Sequence, residues 1–180
     1  MSSQDVQRPI CIIGLGLIGG SLLRDLAGYN HHVFGYNHSC LLYTSPSPQG
    51  FDVTDDLPAI LTRAEAEDAL IVIAVPMTAV GEVLDAIQEH APSCGITDVV
   101  SVKTAVRQQV LERGMESRYV GGHPMAGTSK SGWDNSQRDL FRRAAWGITY
   151  DYAAECEARG EKIPKQWIET FTEVVRMTQM

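Results

Sequence analysis

Residues 121–132 read GGHPMAGTSKSG, and the histidine in that run is the side chain most suited to chemistry. An imidazole titrates near neutrality, so it can both take and return a proton there. His123 stands between paired glycines and Pro124, just past a short strand expected over residues 119–121. That setting makes it the candidate for proton transfer, with a purely structural imidazole as the alternative. His31, His32, His38 and His90 lack such a setting and read as structural or merely exposed. A second run, Ser101-Val102-Lys103-Thr104, follows an expected strand over residues 98–102. Its hydroxyl and ammonium would sit at the mouth of a cleft. Helix capping by Ser101 or Thr104 explains the same residues without chemistry.

A third run can hold phosphate. Gly14, Leu15, Gly16, Leu17, Ile18 and Gly19 fit G-x-G-x-x-G, after an apolar run and before an amphipathic one. In that context the first glycine makes the tight turn, the second lets a pyrophosphate approach the backbone, and the third lets helix pack on strand. The helix start then offers free N–H groups and partial positive charge to the phosphates. The acid expected about 20 residues further on, which would bind a ribose hydroxyl, is missing. The chain has Asn37, His38 and Ser39 there, and the next carboxylate is Asp52. Without a carboxylate to repel a 2′-phosphate, NADP is favoured, with NAD still open; turn residues with no ligand contact are the alternative. Val75 and Pro76 end another strand and would border the same cofactor, although a helix cap at Thr78 accounts for that segment equally well.

The elements that must position these runs alternate. Strands are expected at 9–13, 32–36, 69–75, 98–102, 119–121 and 145–150, and helices at 17–27, 78–90, 105–113 and 163–177. The unbroken apolar run ALIVIAV at 69–75 implies burial on both faces, as in a parallel sheet. Such alternation makes a doubly wound α/β fold with a parallel sheet, here in one domain over residues 9–180 behind a disordered tail at 1–8. Residues 39–50 (SCLLYTSPSPQG) break the pattern, because Pro46 and Pro48 forbid a regular helix where one is wanted. A surface loop and a helix lost by insertion, deletion or frame error both remain open there.

Bulk properties narrow the partners. The 180 residues carry a net charge of −7, which disfavours nucleic acid and anionic membrane. No apolar run approaches the roughly 18 residues of a span, and the N-terminus lacks a signal-peptide core. The four cysteines, Cys11, Cys40, Cys94 and Cys156, are too scattered for a metal or redox motif, so no metal is expected and a cytoplasmic setting is the simplest.

GLGLIGGS at 14–21, AVP at 74–76, SVK at 101–103 and HPMAGTSKSG at 123–132, in that order, resemble the prephenate/arogenate dehydrogenase family from about residue 10 to 150. The resemblance implies a Rossmann-type nucleotide domain. It implies NAD(P)+-dependent oxidative decarboxylation of prephenate or arogenate in tyrosine biosynthesis. It implies that His123 bonds the substrate 4-hydroxyl and takes its proton, that Ser101 orients the imidazole and touches substrate, and that Thr128, Ser129 and Lys130 line the substrate pocket. Lys103 joins the glycine turn, Asn37, His38, Ser39, Val75 and Pro76 among the cofactor-site candidates. Family members continue into a helical C-terminal domain that provides most of a dimer interface, so a chain ending at Met180 is expected to be truncated, with a homodimer expected only for a full-length form. The rivals are another dehydrogenase on the same nucleotide domain, of β-hydroxyacid or pyrroline-carboxylate reductase type, and a non-catalytic nucleotide-binding module. Ser101 with His123 discriminates, since a sensor needs the glycine turn but no proton acceptor.

Overall fold

The computed structural model describes residues 8–38, 50–142, 144, 146–148 and 175–176. Seven strands form one sheet: β1 (Ile10–Ile13), β2 (Val33–Tyr36), β3 (Val53–Thr54), β4 (Leu70–Ile73), β5 (Ile96–Asp98), β6 (Tyr119–Pro124) and β7 (Trp146–Ile148), in the spatial order β3-β2-β1-β4-β5-β6-β7. Every pairing from β3 to β6 is parallel. The helices are α1 (Leu17–Gly28), α2 (Leu57–Ala66), α3 (Val80–His90) and α4 (Lys103–Glu112).

The central strands show why this sequence makes two layers of helix around a sheet. In β1 and β4 all residues are buried, and they run in register from Ile10 opposite Leu70 to Ile13 opposite Ile73. Successive side chains of a strand point to opposite faces. Cys11, Ile13, Ile71 and Ile73 therefore pack with Ile60 and Leu61 of α2, Leu84 and Ile87 of α3, and Val106 and Val110 of α4. Ile10, Ile12, Leu70 and Val72 pack on the other face, with Leu22, Leu23 and Leu26 of α1 and with Trp133 and Phe141. The doubly wound α/β sheet is thus observed. Burial raises the pKa of Cys11 and lifts that of Cys94 to about 12, so both behave as small core hydrophobes.

Several local expectations need correction. The sheet is not wholly parallel, because β7 runs antiparallel to β6, with Gly122 opposite Ile148 and His123 opposite Gly147. A short edge strand and a helix, β3 and α2, occupy residues 53–66, where no element was expected. Asp56 starts α2 by accepting from the Ala59 amide at 3.0 Å, next to a proline in the first turn. The strand expected over 98–102 is β5, ending at Asp98, while β6 runs three residues further than expected, through Pro124. Thr78 caps nothing; it lies inside a 3-10 turn (Met77–Ala79) that precedes α3. Neither Ser101 nor Thr104 caps α4, whose preceding residue is Val102 with no side-chain cap. The Asp98 carboxylate closes that turn instead, accepting from the Val100 amide at 2.9 Å. Residues 1–7 and 39–49 lie outside the described residues, as does the expected helix at 163–177 except for helical residues 175 and 176.

Candidate active site

In a parallel sheet, ligands bind beyond the carboxyl ends of the strands, where the chain order reverses. Here that point lies between β1 and β4. Gly14 leaves β1 with φ +100°, and a Cβ there would come within 2.6 Å of the Ala74 carbonyl oxygen. A Cβ on Gly19 would stand 1.9 Å from the Gly14 carbonyl oxygen, so α1 can cross the turn only as glycine at this position. Gly16 has nothing within 4 Å of where its Cβ would be, so its missing side chain leaves open space. Helix α1 begins there with no side-chain cap and no acid in its first turn. Its first amides are free for an anion.

That open space belongs to a cavity of about 640 Å³, lined by Gly14, Gly16, Leu17, Ile18, Asn37, His38, Val75, Pro76 and Lys130 from among the residues singled out in the sequence. Leu15 and Gly19 support the turn from inside: both are buried, and the Leu15 amide donates to Asn37 Oδ1 at 3.1 Å. Ser39 lies outside the described residues. The cavity also takes in Tyr36, Glu82, Val99, Val100, Ser131 and Gly132, which sequence reading missed. Burial, and then the charges of Asp55 and Glu82, raise the Tyr36 phenol above its ordinary range. Glu82 occupies the first turn of α3, and its spacing alone marks it only as an exposed helix residue.

His123, Ser101, Lys103, Thr128 and Ser129 do not line this cavity. His123 is half-buried in β6, and its Nδ1 is buried with no hydrogen-bond partner. Ser101 is exposed, and no hydrogen bond joins it to His123 in this structure. Lys103 is paired with Asp98, which is wholly buried and also accepts from the Tyr119 hydroxyl at 2.6 Å. Burial lowers the Lys103 pKa, against the opposing pull of Asp98. This network holds the turn carrying Val99, Val100 and Ser101. Thr128 and Ser129 are exposed in the loop after His123, where Thr128 Oγ1 accepts from the Lys130 amide at 3.1 Å. The same loop passes the glycine turn, since a Cβ on Gly127 would lie 3.9 Å from Ile18 Cδ1. Of the histidines read as structural, His31 fits that role, with Nε2 3.0 Å from the Arg8 carbonyl oxygen.

A doubly wound sheet with a glycine turn at its switch point and an open cavity above an uncapped helix defines a dinucleotide-binding domain of Rossmann type. A family model described as "Prephenate dehydrogenase, nucleotide-binding domain" matches residues 22–177, and the chain belongs to that family. It is 33% identical to the prephenate dehydrogenase of Bacillus subtilis (strain 168) over 179 residues, which are 94% of this chain and 44% of that protein. A crystal structure from Corynebacterium glutamicum ATCC 13032, put forward as a prephenate dehydrogenase, is 56% identical with a TM-score of 0.85, over 97% of this chain and 53% of that one. The prephenate dehydrogenase of A. aeolicus, solved with hydroxyphenyl propionate and NAD+, shares the fold at 22% identity with a TM-score of 0.77, over 98% of this chain and 59% of that one. The chain thus spans about half the length of the relatives it matches.

Proposed function

We propose that this chain is the nucleotide-binding part of an NAD(P)+-dependent dehydrogenase that oxidatively decarboxylates prephenate or arogenate. The observation that carries the reading is the place of His123 at the end of β6, directly before the loop that passes the glycine turn. Nδ1 is buried, but the ring is only half-buried, so its exposed part can meet a substrate hydroxyl at the strand end. His123 takes the proton of the ring hydroxyl as that carbon becomes a carbonyl. When bound, the nicotinamide ring supplies the hydride acceptor. Loss of the ring carboxylate as CO2 then aromatises the ring, and the imidazolium can return its proton to the phenolate oxygen. Ser101 approaches substrate and imidazole from the turn after β5, Thr128 and Ser129 border the substrate, and Lys103 acts from its place beside Asp98.

Gly14, Gly16, Leu17 and Ile18 hold the pyrophosphate, with Leu15 and Gly19 shaping the turn, and Val75 and Pro76 form the far wall. The end of β2 offers Asn37 and His38 to a 2′-phosphate with no acid among them, which supports NADP+ over NAD+. Glu82 opposes that preference from across the cavity. A homodimer belongs to a full-length form, and a cytoplasmic setting to the whole protein. Among the described residues no helix is long and apolar enough to cross a membrane. The test is to supply prephenate and arogenate separately with each dinucleotide and follow reduction of the nicotinamide and release of CO2. Nicotinamide reduction with stoichiometric CO2 supports the reading; nicotinamide reduction at the expense of β-hydroxy acids, with neither prephenate nor arogenate oxidised, overturns it.

A further inference from the structure

Residues 133–139 are docked along α1, the helix that starts at the glycine turn. The Gln137 amide donates to Ser21 Oγ at 2.9 Å, and the Asp139 amide to Asp25 Oδ1 at 2.9 Å. Arg24 Nε donates to Ser136 Oγ at 2.8 Å, and Ser136 Oγ donates to the Trp133 carbonyl oxygen at 2.6 Å. The Arg24 guanidinium also lies 4.2 Å from the centre of the Trp133 ring. Ser21 and Asp25 are buried under this segment. Gly20 lets it approach, since a Cβ there would stand 2.9 Å from both Ser136 Cβ and Trp133 Cε3. These contacts read as a fixed strap and not as a loose loop, because three hydrogen bonds and a cation–ring contact tie it to the helix at Ser21, Arg24 and Asp25.

The strap emerges from residues 130–132, and all three line the cavity above the start of α1. Lys130 is the one lysine or arginine among the described lining residues, and no ion pair among the described residues engages its ammonium. The family resemblance places Lys130 with the substrate; the geometry points elsewhere. We propose that Lys130 binds the diphosphate of the dinucleotide, held over the uncapped end of α1 by the strap docked at Gly20, Ser21 and Asp25. The inference rests on the dinucleotide reading above. It assigns the cation missing from the glycine turn, whose own donors are all backbone amides.

Calorimetric titration of the chain with NAD+ and NADP+ separately tests it. Lys130→Gln is expected to weaken both by about tenfold, the size of one lost charge-assisted hydrogen bond. Gly20→Ala is expected to do the same by displacing the strap, and adding Lys130→Gln to it should cost almost nothing further, since coupled residues are not additive. Ser21→Ala serves in place of Gly20→Ala where the latter does not fold. Unchanged affinity in Lys130→Gln, a loss for NADP+ alone, or fully additive effects overturns the proposal. Wild-type chain that binds neither dinucleotide overturns the dinucleotide reading itself, which separates the two failures.

Discussion

A single methyl group at Gly19 would collide with the Gly14 carbonyl oxygen, and neither backbone can move without opening the β1–α1 turn. Gly19→Ala is therefore expected to destabilise the domain by about 1–3 kcal/mol, as overpacking does, and to abolish dinucleotide binding. Thermal unfolding with and without dinucleotide checks both. His123 is the other residue on which the account turns. His123→Asn keeps a polar side chain of similar size but cannot accept a proton at neutral pH. In a full-length form, turnover should fall by about 10²–10⁴-fold while dinucleotide affinity stays unchanged. Steady-state kinetics beside a binding titration measure this, and an unchanged rate removes His123 from the mechanism. At this scale the sequence was informative where chemistry and context coincide. Gly14, Gly16, Leu17 and Ile18 of the glycine turn line the cavity, and Ser101 and His123 share no hydrogen bond in this structure.

Among the elements, β1 and β4 were legible as unbroken apolar runs, and α1 and α3 by the helical spacing of their buried apolar residues. Residues 53–66 were not. Val53 and Thr54 make too short a strand to show a period, and α2 was hidden behind two prolines and an unusual preceding segment. Its cap at Asp56 was nonetheless visible as Asp-Leu-Pro. The end of β5 was misplaced because the apolar residues Val99 and Val100 continue the run past Asp98, the last residue of the strand. Tyr119→Phe leaves the buried Asp98 carboxylate with one donor fewer and should cost about 1–3 kcal/mol in urea unfolding. A stability equal to the wild type would show that the network does not anchor the turn. At the start of α3, Glu82 is the one acidic residue among the described residues lining the cavity. Glu82→Gln removes a repulsion felt most by the more anionic cofactor. It should raise affinity for NADP+ several-fold more than for NAD+, in parallel titrations at low ionic strength. Equal changes for the two would place Glu82 away from the 2′-phosphate.

On the scale of the whole molecule, the cavity and His123 lie at different places along the strand edge. The cavity sits over β1, β2 and β4, while His123 sits near the end of β6, followed by a loop in which Met125 is exposed at 65%. Val102, before α4, is exposed at 53%. The doubly wound class could be read from the strand-helix alternation with right-handed crossovers, although the strand order could not. The antiparallel β7 could not, because three residues carry no directional signal. The architecture makes dinucleotide binding at the glycine turn the claim on which the rest depends. Calorimetric titration of the 180-residue chain with NADP+ and NAD+, compared with the same chain carrying Gly16→Asp, tests it most directly. The account predicts one site per chain for the wild type, tighter for NADP+, and loss of both dinucleotides in the variant, where a carboxylate fills the open space beside the phosphates. Wild-type binding that survives Gly16→Asp intact would contradict it.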